Sequence, residues 1–217
     1  MICAARTDKL AYYYPQNDRG LAPVSLEVRP GEALLVAGPS GCGKSTLARC
    51  LTGLIPHLYR GKMTGDVWLD GLRTRDQPLW RISEHAGLVF QNPATQMLGS
   101  TVEEEIVFGL ENLGLPPNEI RARVDATLTQ FQLTALRERT PLTLSGGEQQ
   151  KVALAATMAR RPPILVLDEP LSMLDSTAGL ALVRDLAALA EQGTAVVVCE
   201  HRRKEIEWIP TLRTLAL

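Results

Sequence analysis

No stretch of this sequence approaches the ~18–20 consecutive apolar residues that a membrane-spanning helix needs, and its N-terminus shows no signal-peptide core. Charge bias is missing too: 23 Lys and Arg against 24 Asp and Glu leave a net charge of −1. Without a basic excess, nothing steers the chain toward nucleic acid or anionic lipid, and no nucleic-acid partner is expected. The four cysteines (Cys3, Cys42, Cys50, Cys199) form no CxxC pair and no Cys/His ligand spacing. That argues against a zinc site and reads as free thiols in a reducing cytoplasm. Aromatics make up only 5% of the chain, and no long heptad run is present. What remains is 217 residues, 45% of them hydrophobic. This is enough for one large α/β domain, or a core with an inserted subdomain.

The chain is organised around Gly38, Pro39, Ser40, Gly41, Cys42, Gly43, Lys44, Ser45 and Thr46. The stretch fits G-x-x-x-x-G-K-[ST]. Before it, Ala33 to Ala37 (ALLVA) is an apolar run suited to a buried parallel strand; after it, Leu47, Leu51 and Leu54 recur at helical spacing. A glycine-rich strand-to-helix turn lets backbone N–H groups close around phosphate oxygens at the positive end of a helix. Lys44 can then reach the outer phosphates, and the Ser45 hydroxyl can ligate magnesium.

Two further strand candidates precede this loop: Leu10 to Tyr14, and the alternating Val24, Leu26 and Val28, with a turn over Pro15 to Gly20 (PQNDRG). Tyr12, Tyr13 and Tyr14 read either as half-buried strand residues or as including one ring that stacks on adenine. Beyond the loop, Gly65 to Gly71 and His85 to Phe90 read as short strands, the latter ending at Gln91. From Asn92 to about Arg160 the pattern is mostly helical. Pro116, Pro117 and Asn118 open one helix, with Ile120, Val124, Leu128 and Phe131 along a single face.

Ile164 to Leu167 (ILVL) is another buried-strand run, and it ends in Asp168, Glu169 and Pro170. A parallel strand delivers such residues to the carboxyl edge of the sheet, beside the phosphate loop. Asp168 there can hold magnesium and Glu169 can polarise an attacking water, although two acids in a turn are often merely solvated. Asp175 or Ser176 caps a helix through Leu180, Val183, Leu186 and Ala190, which Gly193 stops. Ala195 to Cys199 (AVVVC) is the last buried strand, with Glu200 and His201 at its end. A lone histidine is usually structural; at the end of a core strand of this sheet, His201 becomes a candidate contact for a γ-phosphate.

Leu144 to Gln150 (LSGGEQQ) holds a second anion-type feature. Ser145 and Glu148 have the spacing of a capping box, so a helix starts here. The pair Gly146 and Gly147 leaves the first-turn N–H groups uncovered, which serves an anion better than packing. A plain helix cap needs no such pair. One chain thus carries two phosphate-type sites but a single Lys44, as if the second site reads a nucleotide held by another subunit.

Taken together, these motifs resemble the ABC-type ATPases. LSGGEQQ matches that family's signature motif; GPSGCGKST, ILVLDEP and CEHR match its phosphate loop, magnesium strand and switch histidine. The resemblance implies that Gln91 lies at the Q-loop, touching magnesium and sensing the transport partner, and that Asp175 lies at the D-loop. It further implies that Tyr14 is the aromatic that stacks on adenine. A finer likeness rests on Phe90 to Gln96 (FQNPATQ), Thr101 to Gly109 (TVEEEIVFG) and Glu111 to Gly114 (ENLG). These resemble the ATPases of energy-coupling-factor importers, which take up vitamins and metal ions. The segment Gly53 to Gly71 is faintly similar to members tied to thiamine precursors.

The resemblance implies a P-loop NTPase core of α/β class with an N-terminal antiparallel β subdomain and an inserted helical subdomain. The expected division is residues 1–91 and 160–217 for the core, and 92–159 for the helical signature subdomain. Expected cofactors are ATP and Mg2+. Expected partners are a second ATPase subunit, identical or not, with ATP sandwiched between the two, a membrane coupling protein, and a small substrate-binding membrane protein. The expected location is cytoplasmic, on the inner face of the membrane. Gln91 and the acidic-apolar run Val102 to Phe108 are expected to border a groove for a helix of the membrane partner. Many relatives continue past the switch histidine into a dimerisation region, and some are tandem fusions, whereas this sequence holds one cassette and stops at Leu217. An ABC ATPase of DNA repair would need a long heptad insertion, and one of translation would need two cassettes and a basic surface. A P-loop metabolite kinase would leave the Ser145 helix start idle.

Overall fold

The computed structural model describes residues 3–15, 20–201, 206–207 and 209–217. In chain order its strands and helices are β1 (Ala5–Tyr13), β2 (Gly20–Val28), β3 (Ala33–Ala37), α1 (Lys44–Leu51), α2 (Leu54–His57), β4 (Lys62–Leu69), β5 (Leu72–Arg73), α3 (Leu79–His85), β6 (Ala86–Val89), α4 (Val102–Glu111), α5 (Pro117–Gln130), α6 (Gly146–Ala159), β7 (Ile164–Asp168), α7 (Ser176–Glu191), β8 (Ala195–Glu200) and β9 (Leu212–Ala216). Among the described residues they form two sheets. One is antiparallel in the order β2-β1-β4-β5; the other is parallel in the order β6-β7-β8-β3-β9. The fold is therefore α/β, with an N-terminal antiparallel sheet and a helical region inserted between β6 and β7, as the sequence leads one to expect.

The apolar runs explain the parallel sheet. Every residue of β3, β7 and β8 is buried, which requires cover on both faces. Alternate side chains point to opposite faces and so divide between two cores. Leu34, Val36, Val166 and Val197 pack with Leu47 and Leu51 of α1 and with Leu10, Leu21 and Val67 of the antiparallel sheet. Leu35, Leu165, Leu167, Val196 and Val198 pack with Ile106, Val124, Val152 and Leu186 of α4, α5, α6 and α7. The register pairs Ala37 with Glu200 and Asp168 with Cys199. Three strands thus end together at one carboxyl edge, and the loops that follow them meet there.

Several local expectations change. Leu54 does not continue α1, because Gly53, at φ 72°, ends that helix and starts α2. His85 is the last residue of α3 rather than part of a strand; its Nδ1 lies 2.9 Å from Asp70 Oδ2. Leu180 lies off the buried stripe of α7 and is exposed, because Leu182, Val183, Leu186 and Leu189 face the core. The strand read at Gly65 to Gly71 runs instead from Lys62 to Leu69, and the two early strands extend over nine residues each. Most of the turn expected at Pro15 to Gly20, residues 16–19, lies outside the described residues.

The antiparallel sheet carries the tyrosines toward the carboxyl edge, and β1 is irregular on the way, with register shifts between Thr7 and Leu10 and between Leu10 and Tyr12. Thr7 is buried, and its Oγ1 accepts from Leu26 N and donates to Val24 O, both at 3.1 Å. The hydroxyl stands in for ladder bonds that the shifted register cannot make. Thr7→Val keeps the shape but orphans both backbone groups, so urea unfolding should show a loss of about 1–3 kcal/mol, with Thr7→Ser near wild type.

Candidate nucleotide site at the sheet edge

β3 delivers the chain into the loop at Gly38, and α1 begins at Lys44. Gly43 is left-handed at φ 108°, and a Cβ there would sit 2.7 Å from the Gly20 carbonyl oxygen, so only glycine fits. Gly41, at φ 82°, has no atom within 4 Å of a Cβ position. Pro39, Ser40 and Gly41 are exposed. The loop therefore has an open outer side above a helix N-terminus, the arrangement that receives phosphate.

Lys44 is only 4% exposed, yet its Nζ donates to the carbonyls of Gly38 (2.9 Å) and Pro39 (3.0 Å) and lies 3.9 Å from Glu169 Oε1. The ammonium is folded against its own loop beside the end of β7. Next to it, Ser45 Oγ donates to Asp168 Oδ1 at 2.9 Å. Burial raises the pKa of Asp168 above the usual carboxylate range; the Ser45 hydrogen bond works the other way and the neighbouring Glu169 adds to the rise. A buried carboxylate with a hydroxyl at its side is a hard oxygen donor set that suits Mg2+. The residues present fit both the metal and a polyphosphate.

Glu169 is left-handed at φ 47°, a strained conformation for a residue with a side chain. Its N–H donates to the Cys199 carbonyl at 2.8 Å, tying it to β8. Its other carboxylate oxygen, Oε2, accepts from Gln91 Nε2 at 3.1 Å. Gln91, Lys44 and Glu169 thus form one contiguous cluster with Ser45 and Asp168. His201 follows β8 at the same edge with its ring about half exposed, and its Nδ1 lies 2.9 Å from Glu200 Oε1. Glu200 is fully buried, and the sequence reading gave it no role. A carboxylate ending an otherwise apolar strand, directly before a histidine, was the available signal.

The three tyrosines separate. Tyr12 is fully buried, and its Oη donates to the Arg60 carbonyl at 2.7 Å; Tyr13 is exposed. Tyr14 is half-buried beside the loop, edge-on to Tyr12 with ring centroids 4.9 Å apart. Its Oη accepts from Arg49 Nη1 at 2.8 Å and lies 3.4 Å from Thr46 Oγ1. Arg49 and Thr46 of α1 therefore hold the Tyr14 ring next to the phosphate loop.

Ser145 caps α6 in a full capping box with Glu148. Glu148 Oε2 accepts from both the backbone N–H (2.9 Å) and the hydroxyl (2.7 Å) of Ser145, and these bonds hold the Glu148 pKa low. The two glycines also have a packing reason that the sequence reading did not give them. A Cβ on Gly147 would lie 3.0 Å from Ala178 Cβ, and one on Gly146 would lie 3.3 Å from the Met173 carbonyl oxygen. Small residues here let the start of α6 approach the start of α7, which Asp175 caps by accepting from Ala178 N at 2.8 Å. Ser145, Gly146 and Asp175 are exposed. Among the described residues the side-chain hydrogen bonds of Ser145 go to Glu148 and none joins it to the phosphate loop, so the two anion-type features are separate within one chain.

A groove of about 490 Å³ runs between α3, α4 and α6, lined by Trp80, Phe90, Gln96, Phe108, Asn112 and Arg160 among others. Trp80 and Phe108 are exposed at 66% and 48%, unusual for large apolar side chains. Glu105 and Phe108 of the acidic-apolar run line this groove, as expected, and the first three acids of α4 also take structural parts. Glu103 pairs with Arg137, Glu104 accepts from Ser100 N, and the buried Glu105 accepts from Leu98 N and Gly99 N, both at 2.7 Å. Charge reversal there would break the loop after Gln91.

The chain is similar to known proteins in sequence and in fold. The family model described as "ABC transporter" matches residues 21–172. The chain is 41% identical over 216 residues to the putative HMP/thiamine import ATP-binding protein YkoD of Bacillus subtilis, covering 97% of this chain and 39% of that protein. It is 41% identical over 203 residues to the energy-coupling factor transporter ATP-binding protein EcfA of Methanosarcina acetivorans, covering 93% and 72%. The structure of CbiO1 from Clostridium perfringens, described as part of the ABC transporter complex cbiONQ, superposes with a TM-score of 0.86 at 25% identity, covering 99% of this chain and 85% of that one. The chain spans only 32 to 39% of the length of several curated relatives it matches. With the family model covering most of the sequence, and the phosphate loop, acid pair and capped glycine helix in place, the chain belongs to the ABC transporter family of ATP-binding proteins.

Proposed function

We propose that this chain binds and hydrolyses ATP to power uptake of a vitamin, vitamin precursor or metal ion by an energy-coupling-factor type importer. The observation that carries the ATPase part is the cluster at the sheet edge, where Ser45, Asp168, Glu169, Lys44 and Gln91 are joined by contacts of 2.9 to 3.9 Å. The importer part rests on the relatives, whose names refer to HMP/thiamine import, an energy-coupling factor and the cbiONQ complex.

In this reading the backbone of Gly38 to Thr46 receives the phosphates, and Lys44 turns from its own loop carbonyls to the outer phosphate oxygens. Ser45, Asp168 and Gln91 would hold Mg2+, which when bound neutralises charge on the phosphate oxygens. Glu169 accepts a proton from the attacking water, and His201 meets the γ-phosphate side. Tyr14, steadied by Arg49, stacks on the adenine. Residues 92–159 act as the helical signature subdomain, inserted into a core made of 1–91 and 160–217. Ser145, Gly146, Gly147 and Asp175 serve the nucleotide of a second ATPase subunit. Exposure supports this, since a group that serves a facing chain must lie on the surface. The groove beside Trp80 and Phe108 suits an amphipathic helix of the membrane coupling protein, and a small membrane protein supplies substrate binding. Among the described residues no helix is long and apolar enough to cross a membrane. A peripheral place on the inner membrane face fits the proposed role.

Two losses at the cluster should differ in kind. Glu169→Gln should bind ATP as wild type does while phosphate release falls by about 10²–10⁴, the usual worth of a positioned general base. Lys44→Ala should weaken nucleotide binding itself in a fluorescent-ATP titration. Wild-type turnover in Glu169→Gln would remove the base from its role.

The shared site is tested by assembly. With Mg-ATP, Glu169→Gln should accumulate a dimer in sedimentation velocity, because the nucleotide is not cleared. Adding Ser145→Arg puts bulk and charge into the facing site, so the double variant should remain monomeric yet still bind ATP. A dimer that survives Ser145→Arg would reduce the glycine turn to a helix cap. A folded monomer that loses ATP would assign it to the nucleotide of its own chain.

A further inference from the structure

β8 is apolar through Cys199 and then ends in Glu200, a carboxylate with no exposed surface. Burying a carboxylate is costly unless hydrogen bonds compensate it, and here they do. Oε1 accepts from His201 N at 2.8 Å and lies 2.9 Å from His201 Nδ1; Oε2 accepts from Leu171 N at 3.3 Å. The approach of Nδ1 to Oε1 is a close ion-pair contact, and a bare nitrogen lone pair facing a carboxylate oxygen at 2.9 Å would be repelled, so the arrangement favours a proton on Nδ1. With Nδ1 turned to the buried acid, Nε2 is the ring nitrogen left on the exposed side. Leu171 lies two residues after Glu169, and its buried side chain anchors the segment that leads to Asp175.

We infer that Glu200 is a positioning residue for the hydrolytic site: it fixes the ring of His201 and the proton on its Nδ1, offers Nε2 to the nucleotide, and ties that ring to the segment following Glu169. The inference rests on the ATPase reading above and adds a residue to it. One carboxylate oxygen meets the histidine and the other meets the Glu169–Asp175 segment, so Glu200 links the ring to that segment. The partner of one ring nitrogen commonly sets the tautomer of a functional histidine, and at metal-ligating histidines loss of such a partner typically costs about 10–100-fold in affinity or activity.

The test uses Glu200→Leu, close in volume and apolar in a fully buried place. ATP turnover should give a kcat about 10–100-fold lower with KM for ATP within about twofold. Long-range ¹⁵N–¹H spectra of the nucleotide-free protein, with the His201 signals assigned by His201→Ala among the three histidines, should show the proton on Nδ1 in wild type and its release to Nε2 in Glu200→Leu. A kcat within twofold of wild type, or a variant that keeps the Nδ1 proton, overturns the inference. Should Glu200→Leu fail to fold, the wild-type spectrum decides: a ring protonated on Nε2 and bare on Nδ1 also overturns it. Because the spectra need no nucleotide, failure of the ATPase reading shows separately, as a wild type that does not hydrolyse ATP.

Discussion

The site depends on a single hydrogen bond between residues 123 positions apart, from Ser45 Oγ to Asp168 Oδ1 at 2.9 Å. It exists because β3 and β7 flank β8 in one parallel sheet, with registers that bring Ala37, Asp168 and Glu200 to a common edge. A slip of one residue in any of these strands would turn every alternate side chain to the other core. The two cores, each lined by alternate residues of the same strands, make such a slip expensive. Hydrophobic packing far from the chemistry therefore sets the spacing of the oxygen atoms that would hold a metal.

From that edge the structure works outward through short links. Glu169, in a strained backbone conformation, is tied by its N–H to β8 and by its carboxylate to Gln91. Gln91 leads into the loop that Glu105 holds through two backbone N–H groups, beside the groove of Trp80 and Phe108. Phosphate loop, acid pair and groove are thus connected by hydrogen bonds and packed helices. A change at the nucleotide has a physical route to the surface where a partner helix would sit.

Much of this was legible in the sequence because local rules were enough. ALLVA, ILVL and AVVVC announce doubly covered strands; the phosphate loop declares its own turn; Ser145 and Glu148 declare a helix start. What was missed depends on tertiary context. The helix ending at His85 has only one fully buried residue, Ile82, so its periodicity is faint. The edge strand Leu212–Ala216 has no buried residue to mark it. Gly146 and Gly147 read as anion binders because their closeness to Met173 and Ala178 is invisible in one dimension. Glu200 passed as the polar end of a strand, since the groups it meets include one from a segment 29 positions back in the chain. The run Val102 to Phe108 read as the border of a groove, but nothing in one dimension showed that Glu103, Glu104 and Glu105 each answer a backbone N–H or an arginine supplied by the fold.

The central claim is that Ser45 and Asp168 together hold the metal of a bound nucleotide. Calorimetric titration of ATP into wild type and Asp168→Asn, each with and without Mg2+, tests it most directly. In wild type, Mg2+ should tighten ATP binding by about tenfold or more, the order expected when a well-placed charge pair is completed. In Asp168→Asn most of that gain should vanish, while metal-free binding changes little. An equal Mg2+ effect in both proteins would contradict the assignment and place the metal elsewhere.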